Sequence, residues 1–289
     1  MQPLTLRLPA TSANLGPGFD ALGLAMSLYL NIEAREAEET TIRATGRNAD
    51  LVASLDRNLM LTTYRELAPQ APHLSLTVHN EIPLGMGCGS SAAALLAGVH
   101  LANHFGQLGL TPQQVLEEAC VREGHPDNVA ACFHGGMTVS SMQGREVTTA
   151  TFGQGLPWRL LLALPTASLA TEKARALLPA TYSRADAVEN IQATALLVAA
   201  FAQGRPELLA AATRDRLHQP YRSHACPLLP VLLPLAGTPD FYAVTLSGAG
   251  PSVLLLTNES ASKAALLAAI CKCADNQDLE VVETAIHNH

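Results

Sequence analysis

Alternating apolar and polar positions predict short strands over residues 4–8, 28–35, 40–46 and 73–80. Apolar residues recurring at helical spacing predict helices over 57–68, capped by Asp56, and over 90–105 and 111–122. The first half therefore reads as mixed α and β. Gly135-Gly136 leads into the strand signal Met137-Thr138-Val139-Ser140, and a polar, glycine-containing stretch at 141–157 precedes the apolar run Trp158 to Leu164. The domain boundary is placed there, dividing residues 1–150 from 151–289. The second half predicts helices over 171–178, 184–202, 206–217 and 226–236, strands over 240–246 and 252–257, a helix over 260–272 and a last strand near 279–284. His287 and His289 fall at a fraying C-terminus.

Composition narrows what such a chain can do. Its 289 residues, 48% hydrophobic and 15% charged, suffice to bury cores of ordinary size. The start, Met1-Gln2-Pro3-Leu4-Thr5-Leu6-Arg7, is not a basic segment followed by an apolar one, and the longest apolar stretches, near 195–202 and 228–236, are too short to span a bilayer. A cytoplasmic location without membrane partners is the expectation. Cysteines at 88, 120, 132, 226, 271 and 273 show no Cys-x-x-Cys spacing and read as reduced thiols. A net charge of −7 argues against a nucleic-acid partner, whereas a small anion needs only local positive potential.

An anion is what the segment Pro83-Leu84-Gly85-Met86-Gly87-Cys88-Gly89-Ser90-Ser91-Ala92-Ala93 suits. Its alternate glycines permit positive φ and close backbone approach, and the helix that follows offers unpaired N–H groups and partial positive charge. The lysines lie far away, at 173, 263 and 272, so this is not the lysine-bearing loop of P-loop NTPases, and the dinucleotide fingerprint is also missing.

Three more segments carry polar chemistry. Residues 9–20, Pro-Ala-Thr-Ser-Ala-Asn-Leu-Gly-Pro-Gly-Phe-Asp, run a strand into a turn bearing Asn14 and Asp20. Residues 122–128, Arg-Glu-Gly-His-Pro-Asp-Asn, gather polar side chains at a helix stop and a new helix start. Residues 247–252, Ser-Gly-Ala-Gly-Pro-Ser, form a small-residue loop between two apolar strands. Together with the phosphate loop, these segments resemble the GHMP kinases across nearly the whole chain. The first signature, Gly-His-Pro-Asp-Asn at 124–128 and His-Gln-Pro-Tyr-Arg at 218–222 bring it nearest to the branch that phosphorylates L-homoserine. The loop departs from the usual Gly-Leu-Gly-Ser-Ser only in having Cys88 for Leu, another small hydrophobe.

The resemblance implies an α+β, two-domain GHMP kinase fold, with an N-terminal domain like domain 2 of ribosomal protein S5 and a ferredoxin-like C-terminal domain. It implies ATP and Mg2+ as cofactors and transfer of the γ-phosphoryl group to the side-chain hydroxyl of L-homoserine, and a homodimer is compatible with it. A zwitterionic acceptor needs a carboxylate for its ammonium and a guanidinium for its carboxylate. Asp20 fits the first need, and by match to the family Arg175 and Arg222 fit the second, with Asn14, His125, Thr171 and the backbone at Gly248 completing the pocket. Glu123 and either Ser90 or Ser91 supply hard oxygens for the metal, ahead of Glu117 and Glu118. Asp20 accepts the hydroxyl proton or only orients the acceptor. Two other readings use the same residues: a sister kinase for another alcohol such as L-threonine, and a non-catalytic ATP- or metabolite-binding regulator.

Overall fold

The computed structural model describes residues 1–56 and 58–288. In the first lobe, β1 (Leu4–Asn14) turns into β2 (Gly18–Ala37), followed by β3 (Thr41–Gly46), the single turn α1 (Ala49–Val52), α2 (Leu59–Leu67) and β4 (His73–Asn80). Three helices come next, α3 (Ser90–Phe105), α4 (Pro112–Glu123) and α5 (Asp127–His134), and then the hairpin β5 (Met137–Gln143) and β6 (Glu146–Phe152). The second lobe holds β7 (Arg159–Leu164), α6 (Thr171–Ala176), α7 (Arg184–Gln203), α8 (Leu209–Ala212), α9 (Gln219–Arg222), α10 (Leu228–Leu232), β8 (Phe241–Leu246), β9 (Val253–Thr257), α11 (Lys263–Ala274) and β10 (Glu280–Ala285).

The 20-residue β2 is the spine of the first sheet. One edge pairs with β1 from Leu4↔Ala34 to Asn14↔Gly18. Its other edge is shared by β4, opposite residues 30–37, and β5, opposite residues 22–24. β4 alternates strictly, with Leu74, Leu76 and Val78 buried beneath the helices. α3, Ser-Ser-Ala-Ala-Ala-Leu-Leu-Ala-Gly-Val-His-Leu-Ala-Asn-His-Phe, is apolar over most of its circumference, as a helix covered on several sides must be. It runs between α2, α4, α5 and β1.

The second sheet is antiparallel in the order β10-β7-β9-β8. Strand, helices, two strands, helix and strand in this order make the ferredoxin-like pattern. β7 and β9 occupy its centre, which explains their unbroken apolar runs Leu160 to Leu164 and Val253 to Leu256.

Several elements differ from expectation. β1 runs on through residue 14, and β2 begins at Gly18 and runs through residues 21–27, which were assigned to no element, with Gly23 a strand residue. A Cβ on Gly23 would stand 2.1 Å from the carbonyl oxygen of Asp127, so this glycine admits α5 onto the strand instead of breaking it. The polar stretch 141–157 contains β6, an edge strand whose side chains are mostly exposed. α2 is capped by Asn58, whose Oδ1 accepts from Leu61 N, and not by Asp56. The helix expected over 206–217 ends at Ala212, and the one expected over 226–236 spans only Leu228–Leu232.

The C-terminus also departs from the reading. His287 is 9% exposed and lies along the first lobe, its N–H donating to Ala25 O at 2.9 Å and its carbonyl accepting from Gly136 N at 2.7 Å. It is therefore not frayed, and His289 lies outside the described residues. All six cysteines are free, and no helix among the described residues is long and apolar enough to cross a membrane.

Candidate active site

The four sequence segments converge on one cleft between the lobes. Gly85, Gly87 and Gly89 hold φ of 70°, 74° and 69°. A Cβ on Gly89 would lie 1.8 Å from Thr11 Oγ1, and one on Gly87 would lie 2.1 Å from Ser247 O, so side chains are excluded by space as well as by φ. Neighbouring donors occupy the loop carbonyls: Thr11 N–H reaches Cys88 O at 3.0 Å, Ser247 Oγ reaches Gly87 O at 2.8 Å, and Ser252 Oγ donates to Met86 O. The N–H groups of Gly85 through Gly89 meet no acceptor among the described residues, and the first-turn N–H groups of α3 follow them. Such a row of amides at a helix start is a nest for phosphate oxygens. Cys88 is buried beneath the loop, and burial pushes its thiol up to about 11, so it plugs the loop as a neutral group.

Hard oxygens stand at one end of that nest. Ser91, on the first turn of α3, donates through Oγ to Glu123 Oε2 at 2.8 Å, and Glu123 is the last residue of α4. Burial raises the Glu123 pKa against the opposing hydrogen bond from Ser91 and the nearby charge of His125. Ser90 also lines the cleft, without a bond to Glu123. Glu118 is engaged by Arg122 and Arg145, and Glu117 accepts from Gln113, which leaves Glu123 as the acidic residue of α4 that faces the nest.

The turn between β1 and β2 lines the same cleft. Asn14, Leu15 and Asp20 adopt positive φ of 67°, 48° and 55°, a concentration of backbone strain typical of functional sites. The second lobe holds the turn in place: Pro17 O accepts from Asn190 Nδ2 at 2.7 Å and Thr194 Oγ1 at 2.9 Å, and Gly16 O accepts from His218 Nε2 at 2.8 Å. Asn14 donates to Gly248 O and accepts from Asp20 N–H, both at 3.0 Å, which joins the first signature to the 247–252 loop.

Two arginines face this turn in different states. Arg175, one helical turn beyond Thr171, forms a two-pronged pair with Asp20, with both N–H to O distances 2.8 Å. Arg222 is 1% exposed. It donates to Ala174 O at 3.2 Å, meets His218 Nδ1 at 3.1 Å and approaches Gly248 O at 3.5 Å, and no carboxylate of the described residues pairs with it. Burial, and then the charge of Arg175, lower its pKa, as expected of a buried cation short of counter-charge. The Phe19 ring lies beneath both guanidiniums, at 5.3 and 5.5 Å.

His125 Nδ1 donates to Asp127 Oδ1 at 2.6 Å. Burial would lower the His125 pKa, but the bond to Asp127 and the negative charges of Asp127, Glu123 and Asp20 outweigh it and raise it. Asp127 also accepts from Asn128 N–H, and Thr11 Oγ1 donates to Asn128 Oδ1 at 2.8 Å. Potential ligand atoms of Asp20, His125 and Asp127 lie within 4.8 Å of one another. With Asp127 occupied by His125 and Asp20 by Arg175, the group reads as a balanced charge network and not as a metal centre.

Apart from the lesser metal candidates Glu117 and Glu118, every site residue singled out from the sequence lines this cleft or belongs to the loop segment 83–93. Phe19, Asp127, Asn128 and His218 were not singled out. The signal for Asn128 was its place in the Gly-His-Pro-Asp-Asn segment, and that for Phe19 its place in the first signature.

Comparisons with known proteins agree with this geometry. The model of the GHMP kinases N terminal domain matches residues 58–136, and that of the GHMP kinases C terminal domain matches 197–276. A homoserine kinase of Solibacter usitatus is 47% identical over 256 residues, 86% of this chain and 84% of that protein. One from Bacillus cereus is 38% identical, with 89% and 86% covered. The crystal structure of homoserine kinase from Cytophaga hutchinsonii superposes with a TM-score of 0.80 at 23% identity, covering 99% of this chain and 95% of that one, which supports the fold. Phosphate nest, acidic corner and arginine-lined turn thus occur on a chain that belongs to the GHMP kinase family, on its homoserine kinase branch.

Proposed function

We propose that the protein transfers the γ-phosphoryl group of ATP to the side-chain hydroxyl of L-homoserine, giving O-phospho-L-homoserine for threonine synthesis. The observation that carries this reading is Arg222, a buried cation without a carboxylate partner among the described residues, in the same cleft as the Asp20 and Arg175 pair and the phosphate nest. A zwitterion satisfies such a wall: its carboxylate supplies the counter-charge Arg222 lacks, and its ammonium joins Asp20. Mevalonate has no ammonium for Asp20. L-Threonine has one and remains the competing acceptor, since pockets seldom reject so close an analogue fully.

Phosphoryl transfer depends mainly on alignment and charge stabilisation. The amides of residues 85–92 hold the phosphates, and Ser91 with Glu123, or Ser90 in place of Ser91, holds Mg2+, which neutralises phosphate charge when bound. Asn14 braces Asp20, His125 and Thr171 flank the acceptor, and Gly248 closes its far side. Both oxygens of Asp20 are held by Arg175, which favours its role in orientation. The hydroxyl proton then leaves with the transferring phosphoryl group. We place the division of the two domains near residue 150 and the site of action in the cytoplasm, with a homodimer as the working assembly.

Asp20→Asn tests the acceptor wall. It removes the charge that binds the ammonium while keeping the shape, so kcat/KM for homoserine should fall by about ten- to a hundredfold with the KM for ATP little changed. Wild-type kinetics in that variant would exclude Asp20 from the site.

A further inference from the structure

Arg222 owes its direction to a residue that the reaction as described does not use. We infer that His218 is a positioning residue, a neutral imidazole fixed in one tautomer between Gly16 O and Arg222, and that it aims the guanidinium at the acceptor's carboxylate. The inference rests on the homoserine reading above.

The partners define the tautomer. Gly16 O can only accept, so Nε2, 2.8 Å away, carries the proton. Arg222 Nη1 can only donate, so Nδ1, 3.1 Å away, presents its lone pair. His218 has 0% exposure and lies 5.5 Å from the Phe19 ring. The start of α9 is fixed as firmly: the Asp215 carboxylate accepts the N–H groups of Leu217, His218 and Gln219, and Gln219 Oε1 accepts from Leu246 N just before the 247–252 loop. His218 and Arg222, four residues apart, therefore share a helix face that is registered against both loops lining the acceptor site.

Protonation would undo the arrangement. A second N–H at Nδ1 would face a donor and set two cations 3.1 Å apart. The charged groups acting on the ring are Asp215 on the preceding segment, 3.6 Å from Nε2, Arg222 on α9 and Asp20 near the start of β2; Tyr182 bonds the carbonyl of the adjoining Leu217. Burial outweighs the negative charges and keeps the His218 pKa below its usual value, so the neutral form holds at neutral pH.

The test is steady-state kinetics on wild type, His218→Asn and His218→Gln, each also with Arg222→Ala. Asn keeps an acceptor near the position of Nδ1, whereas Gln reaches towards Gly16 and leaves Arg222 without one. We expect His218→Gln to raise the homoserine KM by about tenfold, with kcat and the ATP KM changing far less, and His218→Asn to recover most of that loss. On the Arg222→Ala background, His218→Gln should add less than about twofold. Equal defects in the Asn and Gln variants, additive defects on that background, or parallel losses in kcat and both KM values would overturn the role. Should the variants fail to fold, the wild type decides: nitrogen-15 NMR of the His218 ring at neutral pH should show Nε2 protonated and Nδ1 bare, and the opposite tautomer or an imidazolium overturns the inference. Wild type without homoserine turnover would overturn the substrate reading and this inference together, whereas turnover with additive defects removes His218 alone.

Discussion

Replacing Arg222 with alanine is expected to raise the KM for homoserine by about ten- to a hundredfold and to leave the KM for ATP nearly unchanged. The magnitude follows from losing a charge-assisted contact, about 1.5–3 kcal/mol, with tenfold for each 1.4 kcal/mol. The direction follows from the partners: the guanidinium stands beside the acceptor turn, at His218 and Gly248 O, while the phosphates are held by the amides of residues 85–92. Thermal shift supplies an independent readout. Homoserine should stabilise the wild type through the counter-charge it brings to a buried cation and should stabilise Arg222→Ala far less, while nucleotide stabilises both alike. Matching losses for the two substrates would mean that Arg222 supports the fold instead of the acceptor.

Glu123→Gln should reduce turnover further, by on the order of a hundredfold or more in kcat/KM, because losing a metal-binding oxygen costs about 3 kcal/mol of charge stabilisation in the transition state. The same change should not weaken the metal-free protein. Burial raises the pKa of Glu123 in the fold, so protonation favours the folded state. The resulting penalty is absent below the ordinary carboxylate range and fully present once pH exceeds the raised value. Glutamine removes that penalty and can still accept from Ser91, so at pH 8 the metal-free variant should melt no lower than wild type. Loss of activity together with a large fall in melting temperature would recast Glu123 as a structural residue.

Local backbone demands made the phosphate nest legible in the sequence. Glycines at 85, 87 and 89 followed by two serines and an Ala/Leu-rich helix have few other uses, and two of those glycines prove to be constrained by contact as well as by φ. The central strands β7 and β9 and the capped helix α4 announce themselves in the same way. Features that depend on distant partners did not. Nothing local tells that Gly23 must be glycine, because the demand comes from Asp127 O packed against it. Asp20 and Arg175, 155 positions apart, read as separate ligands for the two ends of a zwitterion, and the fold pairs them with each other. His218 looked like part of a family motif, and only its two hydrogen bonds, to a turn 202 residues away and to Arg222, give it a task.

Coupled ADP release with Mg-ATP and a panel of L-homoserine, L-threonine, L-serine, mevalonate and galactose is the most direct test of the central claim. The account predicts that kcat/KM for L-homoserine exceeds that for each other alcohol, with L-threonine the nearest competitor. A higher value for any other alcohol would keep the phosphate nest and contradict the acceptor pocket, and ATP binding without ADP release from any of them would contradict the kinase assignment.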